Sequence, residues 1–179
     1  MRLHQPDRRS CGAASLVMAR RLVNPRYAGL VDDQASFAHE VTTLHRRLTS
    51  LADVSGGWQV PWLRAVGTPP WAAARDLRLL TGVPYAVRPV RLGRRVWPHL
   101  AAATPDRPVV VYVGSRLLPR HVVLVTAAAD DEATTYEPSS GRVLRVTRAR
   151  WEDGPLRLAG WDRPWCVVSP RDQPLSSAA

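Results

Sequence analysis

Apolar positions in this chain change period partway along. Residues 11–22 carry Ala13, Ala14, Leu16, Val17 and Ala19 at helical spacing, and Asn24-Pro25 closes that run. Residues 33–51 repeat the pattern with Phe37, Val41, Leu44 and Leu48 spaced by three and four. After the break at Gly56-Gly57, Thr68-Pro69-Pro70 predicts a third helix running to Leu80, with Thr68 as its N-cap and Gly82 as its end. From there the pattern turns to strands. These fall at 83–90, 108–113, 121–128, 133–137, 142–146 and 165–168, with short helical pieces at 94–103 and 148–153. Helices first and antiparallel strands afterwards predict an α+β fold, an N-terminal helical layer packed on a C-terminal sheet with a cleft between them. The expected organisation is one domain over 1–170, with a disordered polar tail at 171–179.

Three residues stand in settings that suggest chemistry. Gln5 lies six residues before Cys11, and Cys11-Gly12-Ala13-Ala14 opens the first helix. His121 begins the run His121-Val122-Val123-Leu124-Val125 far downstream. A thiolate is a strong nucleophile, and both a helix N-terminus and a neighbouring imidazolium favour negative charge on sulfur. Ser10 is placed to cap the helix, and Gly12 to let a substrate come close. The Gln5 amide and the Cys11 backbone N–H are placed to donate to an oxyanion.

The turn at Asp130-Asp131 folds the 121–128 strand back on 133–137, so residues near 137–140 return to His121. Glu137 is therefore the expected orienting carboxylate. Asp130 and Asp131 sit roughly 30 Å away along the strand. His39 and His45 are six apart on one helix and lack the i, i+4 relation of a zinc pair, so no metal site and no cofactor are expected.

The chain resembles the papain-like cysteine peptidases of the bacteriocin-processing group, which cut leader peptides after a double glycine, and their free-standing relatives. The resemblance is carried by Gln5, by Cys11-Gly12-Ala13-Ala14, by Arg120-His121-Val122-Val123-Leu124 and by Tyr136-Glu137-Pro138-Ser139-Ser140-Gly141. It implies an oxyanion role for Gln5, a nucleophile in Cys11, a base in His121 and an orienting role for Glu137. Three positions depart from the family pattern. Glu137 stands where Asp is usual, Arg120 where Gly usually precedes the histidine, and Ser10 where an acid commonly precedes the cysteine. They bear on substrate preference, double-glycine specificity above all. Arg120 and Trp58, the latter in a loop after Gly56-Gly57, are candidate substrate contacts beside Gly12. The bland role for Trp58, Trp62, Trp71 and Trp97 is packing.

Composition narrows the partners. The 179 residues carry a net charge of +10, yet all 25 basic residues are arginine and no isoleucine occurs, as codon usage in a GC-rich genome produces. The arginines are scattered, four pairs among them and no long run, so no dedicated nucleic-acid binding is expected. The resemblance implies a peptide or protein substrate and an export or biosynthetic partner. Cys11 and Cys166 form no disulfide framework, and Cys166 reads as a buried strand residue. No apolar stretch marks a signal peptide or a membrane span, which places the expected protein in the cytoplasm, without a self-inhibiting extension before the nucleophile. The expected activity is hydrolysis of a peptide amide through an acyl-enzyme. The alternatives are acyl transfer by the same Cys–His pair, transglutaminase-like or peptide-ligating, and a catalytically inactive peptide-binding module.

Overall fold

A computed structural model describes residues 2–90 and 95–171. The first helix, α1 (Cys11–Val23), is almost wholly buried along one face by Ala13, Ala14, Leu16, Val17 and Ala19. Small side chains there let it lie close against its neighbours. Asn24 then caps a short second helix, α2 (Pro25–Leu30), through its side chain and the Tyr27 N–H at 3.1 Å. This helix is absent from the sequence expectation, which took Asn24-Pro25 as a stop. Proline at the first turn starts a helix as readily as it ends one. Next comes α3 (Gln34–Thr49), fixed at its start by a reciprocal Asp33–Ser36 capping box. A single 3-10 turn, Arg64–Val66, leads into α4 (Pro70–Thr81).

The N-cap of α4 is Pro69 rather than Thr68, and no side chain caps it. The Thr68 carbonyl instead accepts from the buried Tyr112 hydroxyl at 2.8 Å. The methine and hydroxyl of Thr68 fill the space beside Gly12, where an added Cβ would come within 2.6 Å. This is the reason for glycine at position 12. A neighbouring loop, not a substrate, makes the close approach.

The remaining elements are β1 (Tyr85–Pro89), α5 (Trp97–Leu100), β2 (Val109–Gly114), β3 (Pro119–Ala129), β4 (Glu132–Glu137), β5 (Arg142–Thr147), α6 (Arg148–Glu152) and β6 (Arg163–Pro170). Residue 94, the expected start of the fifth helix, lies outside the described residues, as does the tail from 172. The strands form one antiparallel sheet in the order β1-β6-β2-β3-β4-β5. The α+β plan holds, with one correction. The sheet carries helices on both faces.

Val110, Tyr112, Val122, Leu124 and Tyr136 face α1, α3 and α4. Val109, Val111, Val113, Val123 and Val125 face a second core closed by Trp97 and Leu100 of α5, Trp151 of α6, and Leu156 and Leu158. β2 is buried along its whole length for this reason. Among the described residues, no helix is long and apolar enough to cross a membrane.

Candidate active site

The chain before α1 is held at several points, one of them a pair of bonds between the His4 backbone and the Gln34 side chain of α3. The Tyr136 hydroxyl donates to the Leu3 carbonyl at 2.9 Å, and the Gln5 N–H donates to the Pro138 carbonyl at 2.8 Å. Residues 3–5 are thereby seated on the turn that follows β4. The Asp7 carboxylate then accepts the backbone N–H groups of Arg9 and Ser10, at 2.7 and 3.0 Å. Ser10 occupies the N-cap position of α1 but makes no side-chain cap bond. Asp7 does the organising expected of Ser10, one turn earlier. The first N–H groups of α1, that of Cys11 among them, have no acceptor inside the helix and are free to meet an incoming anion.

The Gln5 side chain is oriented by one bond. Its Nε2 donates to the Asp7 carbonyl at 2.6 Å. A carbonyl only accepts, so this contact decides which end of the amide is nitrogen. Its Oε1 is buried without a partner.

His121 enters the site beside an irregularity in the sheet. Val113 pairs with His121 and Gly114 with Pro119, so Arg120 is an extra residue with no partner on β2. Such a bulge re-aims the side chain next to it. Arg120 itself is exposed. Across the hairpin, Leu124 pairs with Tyr136. Continued by one residue, that register sets Glu137 opposite Val123 and diagonally across from His121, within reach of a long side chain.

His121 Nε2 and Glu137 Oε1 are 2.8 Å apart, and both residues are buried. Glu137 also accepts from the Ser139 N–H at 2.8 Å, the Ser140 N–H at 3.0 Å and the Ser140 hydroxyl at 2.6 Å. The Cys11 thiol lies close enough to the imidazole to favour its charged form. The structure thus brings Cys11, His121 and Glu137 together as one buried group, with Gln5 tied to the same turn as Glu137.

Burial alone disfavours charge at both groups, and in each case the hydrogen bonds win. Desolvation pulls His121 down, but Cys11 and Glu137 beside it raise it to about 9. Desolvation pushes Glu137 up, but His121, Ser140 and Ser139 together hold it at about 2. The favoured state near neutrality is an imidazolium facing a carboxylate. The two shifts bear on stability with opposite signs. The His121 contribution is complete below its ordinary 6.5 and is lost as pH rises through about 9. The Glu137 contribution is present above its ordinary 4.5 and is lost as pH falls through about 2.

Glu137→Gln tests this arrangement. One end of the amide can still accept from His121, but its NH2 then meets the Ser140 donors. The His121 pKa should fall by at least about one unit, read by NMR of the ring, with a loss of roughly 1–3 kcal/mol in unfolding free energy at neutral pH. An unmoved His121 titration would show that Glu137 does not control it.

The other candidates lie apart from this group. Trp58 is 75% exposed and bridges to Ala52 in the loop after α3. With Val60, Leu63 and Val66 it leaves an exposed apolar strip ahead of α4. Trp62 and Trp71 pack edge to face at 5.0 Å, and Trp97 is core. Cys166 is free, and burial pushes its thiol up to about 12. Among the described residues, no cluster of His, Cys, Asp and Glu is arranged to hold a metal ion. Two site features escaped sequence reasoning, the organising role of Asp7 and the double serine clamp on Glu137. An Asp three residues before the N-cap, and Pro-Ser-Ser after a strand-ending Glu, were the available signals.

The chain matches no known family's sequence profile and no curated protein. Among solved structures it is similar to the peptidase domain of Streptococcus ComA, a bi-functional ABC transporter involved in a quorum-sensing pathway. That likeness has a TM-score of 0.46 and 17% identity over 95% of this chain and 98% of that one. It is also similar to the peptidase domain of Streptococcus mutans ComA, at 0.44 and 15% over 94% and 98%. At these scores and identities neither establishes the family or the activity of this chain.

Proposed function

We propose that this chain is a cysteine peptidase-like hydrolase that opens a peptide amide through a thioester on Cys11. The observation that carries this reading is the buried Cys11–His121–Glu137 group, in which every oxygen of Glu137 is held. In the proposed reaction the Cys11 sulfur attacks the carbonyl carbon. The oxyanion is met by the Cys11 N–H and the Gln5 amide, and His121 gives its proton to the departing amine. His121 then accepts a proton from water as the water cleaves the thioester, and Glu137 keeps the ring oriented throughout. Arg120 and the exposed strip with Trp58 are offered as contacts for the peptide. Processing of a leader peptide in the cytoplasm, together with an export or biosynthetic partner, is the narrower form of this reading.

Acetyl-Gly-Gly p-nitrophenyl ester tests it directly. The expected result is a burst of nitrophenol with an acyl mass added to Cys11, both absent in Cys11→Ala. Adding glycinamide separates hydrolysis from acyl transfer, since an amine-resolving enzyme would form the amide in place of the free acid. No burst and no adduct would leave a peptide-binding module.

A further inference from the structure

The loop that leads into Cys11 has a second side. A cavity of about 330 Å³ lies between Asp7, Arg8 and Arg9 of that loop, Thr42, His45 and Arg46 on α3, and Arg64 of the 3-10 turn. Four guanidiniums line it against one carboxylate, and Asp7 Oδ1 is already engaged by two backbone N–H groups. Among the described residues, none of the four arginines is ion-paired.

His45 sits at the wall of this space. It is 8% exposed, and its Nε2 is buried with no hydrogen-bond partner. Without a partner, Nε2 carries an unmet lone pair when the ring is neutral and that nitrogen is bare. When protonated, the same nitrogen becomes a donor, and an anion in the cavity would satisfy it. Burial holds His45 below its ordinary value, and the Arg64 charge adds to this, while Asp7 and the Arg64 backbone act the other way. Anion entry and proton uptake at His45 are therefore linked. The anion should bind more tightly as pH falls; Asp7 and Arg64 act on the ring, and Arg8, Arg9 and Arg46 share its cavity.

Position says which anion. Arg9 is two residues from Cys11. The loop carrying Arg64 continues to Gly67, which lies against the Arg9 carbonyl, and to Thr68, which lies against Gly12. Cavity and nucleophile thus share one loop pair. Apart from the His45 imidazole the lining holds no aromatic ring, and the space suits one small acidic group rather than a phosphate backbone. We infer that this cavity is a subsite for a carboxylate of the peptide substrate, an Asp or Glu side chain near the cut bond, held by Arg46, Arg64 and the His45 ring. The inference rests on the peptide-hydrolase reading for its substrate.

The test uses the whole chain with Cys11→Ala and 15N-labelled histidine. N-acetylglutamate methylamide should move the His45 ring resonance saturably, and at least about tenfold more tightly than N-acetylglutamine methylamide. Its affinity should rise between about pH 7.5 and about pH 5.5. Arg46→Gln with Arg64→Gln should weaken it by about tenfold or more while the rest of the spectrum stays unchanged. A glutamine analogue that binds equally, or a His45 resonance that never saturates, would overturn the assignment. So would sodium acetate binding as tightly as the glutamate derivative, which would make this an unspecific small-anion hole. None of these readouts needs catalysis, so a failed nitrophenyl-ester burst would refute the hydrolase reading separately.

Discussion

Iodoacetamide should alkylate Cys11 at pH 6 about a hundredfold faster in the native chain than in His121→Ala. The reagent reacts with thiolate, and a thiol in ordinary surroundings offers little of it at that pH. In this site the imidazole beside the sulfur is raised to about 9, so a cation stays next to Cys11 across the neutral range. His121→Ala removes that cation and strands Glu137, so its folded fraction must be checked by circular dichroism before rates are compared. Cys166 is an internal control. Burial pushes it to about 12, and its labelling should be slow and indifferent to His121. Equal rates at Cys11 in the two proteins would make it an inert buried thiol and remove the basis of the proposed mechanism.

The second large effect is on folding. Gly141 closes the turn after Glu137 with φ +65, and an added Cβ would lie 2.5 Å from the Leu3 carbonyl oxygen and 2.9 Å from its carbon. Gly141→Ala therefore combines left-handed strain with a clash against backbone, which has no rotamer to escape into. A loss of about 3 kcal/mol is expected in denaturant unfolding, with His121 released from its raised titration as residues 3–5 lift away. Gly56→Ala is the matched control. Its φ is +85, but nothing lies within 4 Å of the added carbon, so it should cost only about 1 kcal/mol. Similar losses in the two variants would mean that the N-terminal segment is not seated on this turn.

Much of the fold could be read from period alone. The helices at α1, α3 and α4 and the β3–β4 hairpin follow from apolar spacing and from Pro, Gly and Asp at the breaks. What escaped reading was decided by tertiary contact. Thr68 looks like a cap, yet its side chain is used against Gly12. Asn24-Pro25 looks like an end and is also a beginning. The second core under α5 and α6 left a trace that went unread. The unbroken valine runs of β2 and β3 have no polar alternate positions, as a strand needs when both its faces are covered.

The residues of the candidate site were legible because each stands next to a helix start or a strand end. The His45 cavity was not, since it needs three segments remote in sequence to converge. The position of Glu137 was legible only to within the hairpin register. Its diagonal relation to His121 depends on the register shift between Val125 and Ala127 in the β3–β4 pair.

The seating of Leu3 on Tyr136, 133 positions later, has a consequence for the order of events during synthesis. The nucleophile leaves the ribosome more than a hundred residues ahead of the histidine, the carboxylate and the turn that holds Gln5. At roughly 5–20 residues per second, several seconds separate them. Throughout that interval the nascent chain carries a cysteine with no base and an unseated Gln5, so translation itself delays the assembly of a thiol that would otherwise act on neighbouring chains.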